Sequence, residues 1–193
     1  MKRLVLASNN KHKVEEIKAI LSDYEVLTLG DVGIDVDVEE TGETFLENAY
    51  IKAKAIYDLL GVATIADDSG LMVEYLDGAP GVYSARYAGE HGNDHENNLK
   101  LLRELEGIED REAKFVSAIV MIDADGTVYE AIGETKGSIL FDYDGDGGFG
   151  YDPIFYSYEL NKSFGRATKD EKNSVSHRRK ALDNLANVLT KKN

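Results

Sequence analysis

The sequence predicts an α/β protein: a mixed β-sheet with helices on its faces, and a β-hairpin forming a second lobe. Three observations lead there. Apolar positions switch repeatedly between a period near two and a period near 3.6 along the chain. Two β-rich runs, Phe115–Ile122 and Thr127–Thr135, flank Asp125-Gly126, a strong hairpin signal. Only two prolines, Pro80 and Pro153, interrupt the chain, and no repeat or low-complexity linker divides it. A cleft between the two lobes is the natural place for a site.

Each element follows from a local signal. Arg3–Ala7 is a short apolar strand, and the next helix carries Val14, Ile17, Ile20, Leu21 and Tyr24 at helical spacing. Glu25–Asp37 reads as a short strand plus loop. Thr44-x-x-Glu47 forms a capping box for a second helix that Gly61 ends. Strand Val62–Ala66 follows; the chain then turns through Ser69-Gly70 into a strand Leu71–Tyr75 that stops at Asp77-Gly78. Asn93 to Glu106 reads as a helix with Leu99, Leu102 and Leu105 inward and Gly107 closing it. After the hairpin come a glycine-rich loop, Asp144–Gly150, a short strand near Ile154–Tyr156 and a final helix from about Val175 to Leu189.

Composition narrows the function classes. The 193 residues suffice for one domain, or one two-lobed unit, with a substantial core. Hydrophobic residues at 42% and charged residues at 30% are ordinary for a soluble protein. With no cysteine, disulfides and thiolate metal sites are excluded and a cytoplasmic setting is expected. The apolar run at the N-terminus is too short for a signal peptide, and no stretch has the length of a membrane span. A net charge of −14 opposes binding to a nucleic-acid backbone. It leaves a small phosphorylated substrate open, because a metal and a few placed lysines reverse the sign locally.

Ile65-Ala66-Asp67-Asp68-Ser69-Gly70 is the sharpest chemical signal. Two adjacent carboxylates at a strand's end repel each other and need a cation or hydrogen-bond donors. Mg²⁺ suits them, since it takes one or two carboxylates plus waters and phosphates; a plain polar turn is the competing reading. The first βα turn, Ser8-Asn9-Asn10-Lys11-His12-Lys13, offers backbone N–H groups and cations to an anion, or is simply a well-capped helix start. On the second helix Phe45, Ala49, Lys52, Ile56 and Leu59 share a stripe, so Lys52 either snorkels or meets an anion, with Glu39-Glu40 just ahead of the helix. Val175, Arg178, Leu182, Leu185 and Leu189 repeat the anomaly in the last helix, where Lys172, His177 and Arg178 gather donors. Gly147-Gly148-Phe149-Gly150-Tyr151-Asp152-Pro153 sets aromatics among glycines, either to stack on a base or to pack on the core.

Taken together and in order, these segments resemble the inosine/xanthosine triphosphate pyrophosphatases, the non-canonical purine NTP pyrophosphatases or Ham1-like proteins. The resemblance also runs through Glu40-Thr41-Gly42-Glu43-Thr44-Phe45 into Glu47-Asn48-Ala49, through Gly78 to Tyr87, and through Glu171 to Arg178. It covers nearly the whole chain, residues 1–193, as a single two-lobed domain. It implies a long mixed sheet, an active-site cleft between two lobes, a cytoplasmic homodimer, and Mg²⁺-dependent hydrolysis, with Mn²⁺ as the alternative ion. The implied reaction takes ITP, dITP, XTP and dXTP to the monophosphate and pyrophosphate, clearing deaminated purines from the nucleotide pool.

Residue by residue, the resemblance implies that Asp68 accepts the proton of the attacking water and binds the metal together with Glu40. Ser8, Asn10, Lys13, Lys52, Ser69 and Lys172 would line the phosphates, with Asn9, Lys11 and His12 in the same turn. Phe149, Gly150, Tyr151, Asp152, His177 and Arg178 would hold the base. A 6-oxo acceptor distinguishes inosine and xanthosine from adenosine, so donors at His177 and Arg178 would favour the former.

Overall fold

The computed structural model of the chain describes residues 2–191. Its strands are β1 (Lys2–Leu6), β2 (Tyr24–Thr28), β3 (Thr64–Val73), β4 (Glu112–Ile122), β5 (Val128–Ile139), β6 (Phe155–Ser157) and β7 (Lys162–Ser163). They form one open sheet in the order β2-β1-β3-β4-β5-β6-β7. β1 lies parallel to both β2 and β3, whereas β6 is antiparallel to β5 and to β7, so the sheet is mixed. Parallel neighbours need a crossover, and helices α1 (Lys11–Ile20) and α2 (Phe45–Leu60) supply the two that link β1, β2 and β3. Helices α3 (Asp94–Glu104), α4 (Lys169–Val175) and α5 (His177–Thr190) complete the set.

The chain divides into two compact units. One holds the residues up to Asp68, Ser117–Gly133 and those from Arg178 onward; the other holds Ser69–Val116 and Glu134–His177. In the first unit, strand alternation sends side chains to two separate cores. Leu4, Leu6 and Ile65 pack with Ile17 of α1 and with Ala181, Leu182 and Leu185 of α5. Val5, Ala7 and Ala66 pack with Ala49, Ala53 and Ile56 of α2. Helices therefore cover both faces of this part of the sheet. The second unit has one core, in which Leu71, Val73, Leu101, Leu105, Phe115, Tyr151, Phe155 and Phe164 meet. Each large aliphatic or aromatic side chain so buried contributes about 1.5–3 kcal/mol before the entropy of ordering it is counted.

Several elements agree with their local signals. Thr44 and Glu47 form the reciprocal capping box of α2, and Gly61 ends that helix at φ 62°. Asn93 caps α3 by accepting from the Glu96 amide.

Five expectations are corrected. The hairpin does not form a second lobe: its turn and the adjoining parts of both strands, Ser117–Gly133, belong to the first unit, and β4 and β5 are neighbours in the middle of the sheet. Asp67-Asp68-Ser69-Gly70 is not a turn after a strand; β3 runs unbroken through it for 10 residues. The buried stripe of α2 is Phe45, Ala49, Ala53 and Ile56, while Leu59 is 60% exposed. In α3 the fully buried leucines are Leu101 and Leu105, and Leu99 is only half-buried, because Asn97 and Asn98 share the inward face. The last helix, expected from about Val175, begins at His177: Ser176, whose ψ of 152° is extended, separates it from α4, a helix that ends at Val175 and that the sequence reading did not anticipate. A serine just before α5 stands where an N-cap residue would, and the spacing along the chain of Val175, Leu182, Leu185 and Leu189 is the same with or without the break, so periodicity does not register it.

Candidate active site

The consequence of an unbroken β3 is that Asp67 and Asp68 point to opposite faces of the sheet. Asp67 follows Ile65 toward α1 and α5, and Asp68 follows Ala66 toward α2. Each is ion-paired to different cations, although the Lys13 charge is felt by both.

On the α1/α5 face Asp67 is buried and ion-paired to Lys13 Nζ at 3.0 Å and Arg178 Nη2 at 3.3 Å, and it accepts a hydrogen bond from the Ser117 hydroxyl. Arg178 Nη1 pairs with Glu16 of α1, and the Arg178 side chain is only 1% exposed. Burial by itself pushes Asp67 up, but the Arg178 and Lys13 charges and the Ser117 hydroxyl outweigh it and hold the carboxyl well below the usual range. For Arg178 burial works downward, and the two carboxylates overcome it and raise its pKa.

On the α2 face Lys52 Nζ donates to Glu40 Oε1 at 2.6 Å, to the Asp67 carbonyl at 2.9 Å and to Asp68 Oδ1 at 3.4 Å. Burial lowers the Lys52 pKa, but Asp68 and Glu40 overcome that and raise it, so Lys52 stays charged. Asp68 is different. Burial first, then the Glu40 and Asp67 charges, push its pKa up against the pull of Lys52 and Lys13. Its Oδ2 atom is buried and receives no hydrogen bond. An oxygen of that kind, on a carboxylate beside a second carboxylate, suits a hard divalent cation. Among the described residues no three acidic or histidine side chains gather into a complete metal cage. Two carboxylates are all that an ion shared with substrate phosphates requires.

In the first βα turn, Ser8 and Asn10 cap the turn itself, whereas Asn9 reaches outside it. Ser8 Oγ accepts from the Asn10 amide at 3.2 Å and Asn10 Oδ1 from the Lys13 amide at 3.1 Å, while Asn9 Nδ2 donates to the Val36 carbonyl at 3.3 Å. Lys11 and His12 are exposed.

A separate group lies within the second unit. Asp152 Oδ2 accepts from the Phe149 amide at 3.0 Å and from Lys172 Nζ at 2.7 Å. Lys172 Nζ stands 4.3 Å from the centroid of the Phe149 ring. Gly148 has φ 74°, and a Cβ there would lie 2.1 Å from Asp152 Oδ2, so glycine is what lets the loop close over this carboxylate. Gly150 is held at both ends: its carbonyl accepts from Asn98 Nδ2 at 3.0 Å and its amide donates to Asp94 at 2.8 Å. Tyr151 is a core residue whose hydroxyl donates to the Ser84 carbonyl at 2.7 Å; burial pushes its phenol pKa up. His177 is buried and lies nearly parallel to Phe115, with ring centroids 4.9 Å apart and 15° between planes. Ser69 is half-buried in β3.

The structure thus brings Lys13 and Arg178 together around Asp67, Lys52 and Glu40 around Asp68, and Phe149, Asp152 and Lys172 around one another. Asp67 stood out in the sequence as a charge that needs cations, but Glu16 and Ser117 were missed as members of this arrangement. Glu16 carried a signal of the same kind as Lys52, a charge flanking the apolar positions Val14, Ile17 and Ile20 of its helix. Ser117, a small polar residue inside a β-rich run, carried none.

A family model described as the Ham1 family matches residues 4–188. The dITP/XTP pyrophosphatase of Clostridium perfringens (strain 13 / Type A) is 51% identical, over 98% of this chain and 98% of that one. The dITP/XTP pyrophosphatase of Clostridium tetani (strain Massachusetts / E88) is 46% identical over 98% and 96%. Among solved structures, the Staphylococcus aureus Ham1 protein superposes with a TM-score of 0.89 at 44% identity, covering 100% of each chain.

Proposed function

Because the chain belongs to the Ham1 family, we propose that it hydrolyses ITP, dITP, XTP and dXTP to the nucleoside monophosphate and pyrophosphate. The observation that carries this reading is the buried Asp68 carboxylate, raised in pKa, with Lys52 and Glu40 beside it. Such a group is a stronger base than an exposed aspartate and lies next to fixed positive charge, which is what attack of water at a phosphorus needs.

Glu40 and Asp68 are the residues that would hold Mg²⁺, with Mn²⁺ as the alternative. Bound there, the ion supplies neutralisation of phosphate charge and a more acidic water. Asp68 accepts the proton of the attacking water. Lys52, with Lys13, Lys172, Ser8, Asn10 and Ser69, stabilises charge that develops on the triphosphate oxygens and on leaving pyrophosphate. Asn9, Lys11 and His12 belong to the same phosphate-side turn. Phe149, Gly150, Tyr151 and Asp152 form the base-side loop, in which Asp152 ties Phe149 and Lys172 together and Tyr151 anchors the loop to the core. His177 donates to the 6-oxo group. Arg178, expected beside His177 as a donor to the base, has Nη1 and Nη2 taken by Glu16 and Asp67, so in this reading it ties the start of α5 to α1 and β3 and leaves the donation to His177. The same reading takes the chain as one catalytic domain that works as a cytoplasmic homodimer, with neither nucleic acid nor membrane as partner.

The test is hydrolysis of ITP, XTP, GTP and ATP with Mg²⁺, assaying pyrophosphate and orthophosphate separately. Pyrophosphate from ITP and XTP, with little from ATP, is expected. Orthophosphate release, or equal rates on all bases, would overturn the proposal.

A further inference from the structure

Asn48 has no part in the roles above, yet it is fully buried on α2, one turn before Lys52. Its Oδ1 accepts the Gly42 amide at 2.7 Å. The approach is close: a Cβ on Gly42 would lie 2.7 Å from that oxygen, 2.7 Å from Glu47 Cβ and 3.0 Å from the Asn48 amide nitrogen. The next two amides, Glu43 and Thr44, are taken by Glu47 at 2.7 and 3.3 Å, which is ordinary capping. The Asn48 bond is not capping. It comes from a buried side chain within the helix and grips the chain two residues from Glu40.

Four residues beyond Asn48 on the same helix face, Lys52 holds the other end of that segment through Glu40 Oε1 at 2.6 Å. Asn48 Nδ2, meanwhile, is buried with no hydrogen-bond partner. A residue serving only to fill the core would not carry that unmet donor, since an apolar side chain of similar shape avoids the cost. What the carboxamide provides is its oxygen, aimed at the Glu40 segment.

We propose that Asn48 is a positioning residue that fixes Glu40 beside Lys52 and Asp68, and so sets how tightly the carboxylate pair holds its divalent cation. This deepens the metal role given to Glu40 and Asp68 above and rests on that reading.

Asn48→Ala, Gly42→Ala and the double variant are compared with the parent protein in two titrations. One follows the rise in Tm with Mg²⁺ alone, and the other the Mg²⁺ dependence of pyrophosphate release from ITP. Each single variant is expected to move the Mg²⁺ midpoint of both titrations up by about 10–100-fold, as loss of a ligand-orienting partner does, with kcat at saturating Mg²⁺ little changed. The double variant is expected to be no worse than the poorer single one, because both changes break the same contact. Midpoints unchanged in both single variants, or a double variant whose shift is the product of the two, would overturn the proposal. If Asn48→Ala does not fold, Asn48→Leu, which fills the same space without the oxygen, takes its place, since a Cβ on Gly42 would also press on Glu47 and the Asn48 backbone. A parent protein that shows the Mg²⁺-dependent Tm rise but releases no pyrophosphate would refute the functional reading and leave this one standing on its first titration.

Discussion

Arg178 is enclosed by protein, with its guanidinium shared between Glu16 and Asp67, both buried. Replacing it with methionine keeps most of the volume and removes the charge. Breaking a buried ion pair from one side costs about 3–5 kcal/mol, because the opposing carboxylate stays behind in a medium that cannot solvate it. Lys13 at 3.0 Å and the Ser117 hydroxyl still hold Asp67, which puts the loss toward the lower end. For a chain of this length each kcal/mol moves Tm by roughly 2–4 °C, so a loss of about 3 kcal/mol lowers Tm by about 6–12 °C. The assay is thermal unfolding followed by circular dichroism at neutral pH. The triple variant Arg178→Met, Glu16→Gln, Asp67→Asn should recover much of the loss, since the guanidinium and both of its carboxylates are then gone; Lys13 loses its partner, but its side chain is partly exposed and can turn its charge to solvent. An Arg178→Met protein that melts with the parent, or a triple variant less stable than the single one, would refute the account of Arg178 as the charge that holds α1, β3 and α5 together.

Three further outcomes follow from the same geometry. Asp68→Asn should cut turnover by about 10²–10⁴ without lowering Tm, because burial already favours the neutral form; a clear drop in Tm would mark Asp68 as structural. Asp67 has a folded pKa held below its unfolded one, so its ionised form stabilises the protein above about pH 4, and that contribution is lost as pH falls further. Acid unfolding followed by fluorescence should therefore be steeper in the parent than in Asp67→Asn; identical acid limbs would contradict this. Tyr151→Phe removes the bond to the Ser84 carbonyl and should cost about 1 kcal/mol in urea unfolding, with the ratio of ITP to ATP hydrolysis unchanged. A shifted ratio would show that the hydroxyl reads the base.

Much of the fold was legible because its signals are local. The capping box at Thr44 and Glu47, the left-handed Gly61, the Asn93 cap and the hairpin at Asp125-Gly126 each depend on residues a few positions apart. The chemistry-bearing residues were legible by contrast, as charges on apolar stripes, and Lys52 and Arg178 do meet carboxylates. Glu40 stood out just ahead of the helix that carries Lys52, but the other partners were not legible. Lys52 pairs with Glu40 and Asp68, and Arg178 with Glu16 and Asp67, across separations in chain that no periodicity encodes.

The sequence by itself determined the α/β class, the order of most elements, and the residue types that can bind a metal and phosphates. Tertiary structure alone decided what Asp67-Asp68-Ser69-Gly70 is. By propensity these four are turn residues, yet they lie in mid-strand, because cations from α1, α2 and α5 neutralise both carboxylates there. Strand alternation then separates them, giving Asp67 to the buried network that ties helices to the sheet and Asp68 to the pair with Glu40. A one-dimensional reading sees two neighbouring acids; which face each takes depends on whether the strand continues, and that depends on charges delivered from elsewhere in the fold.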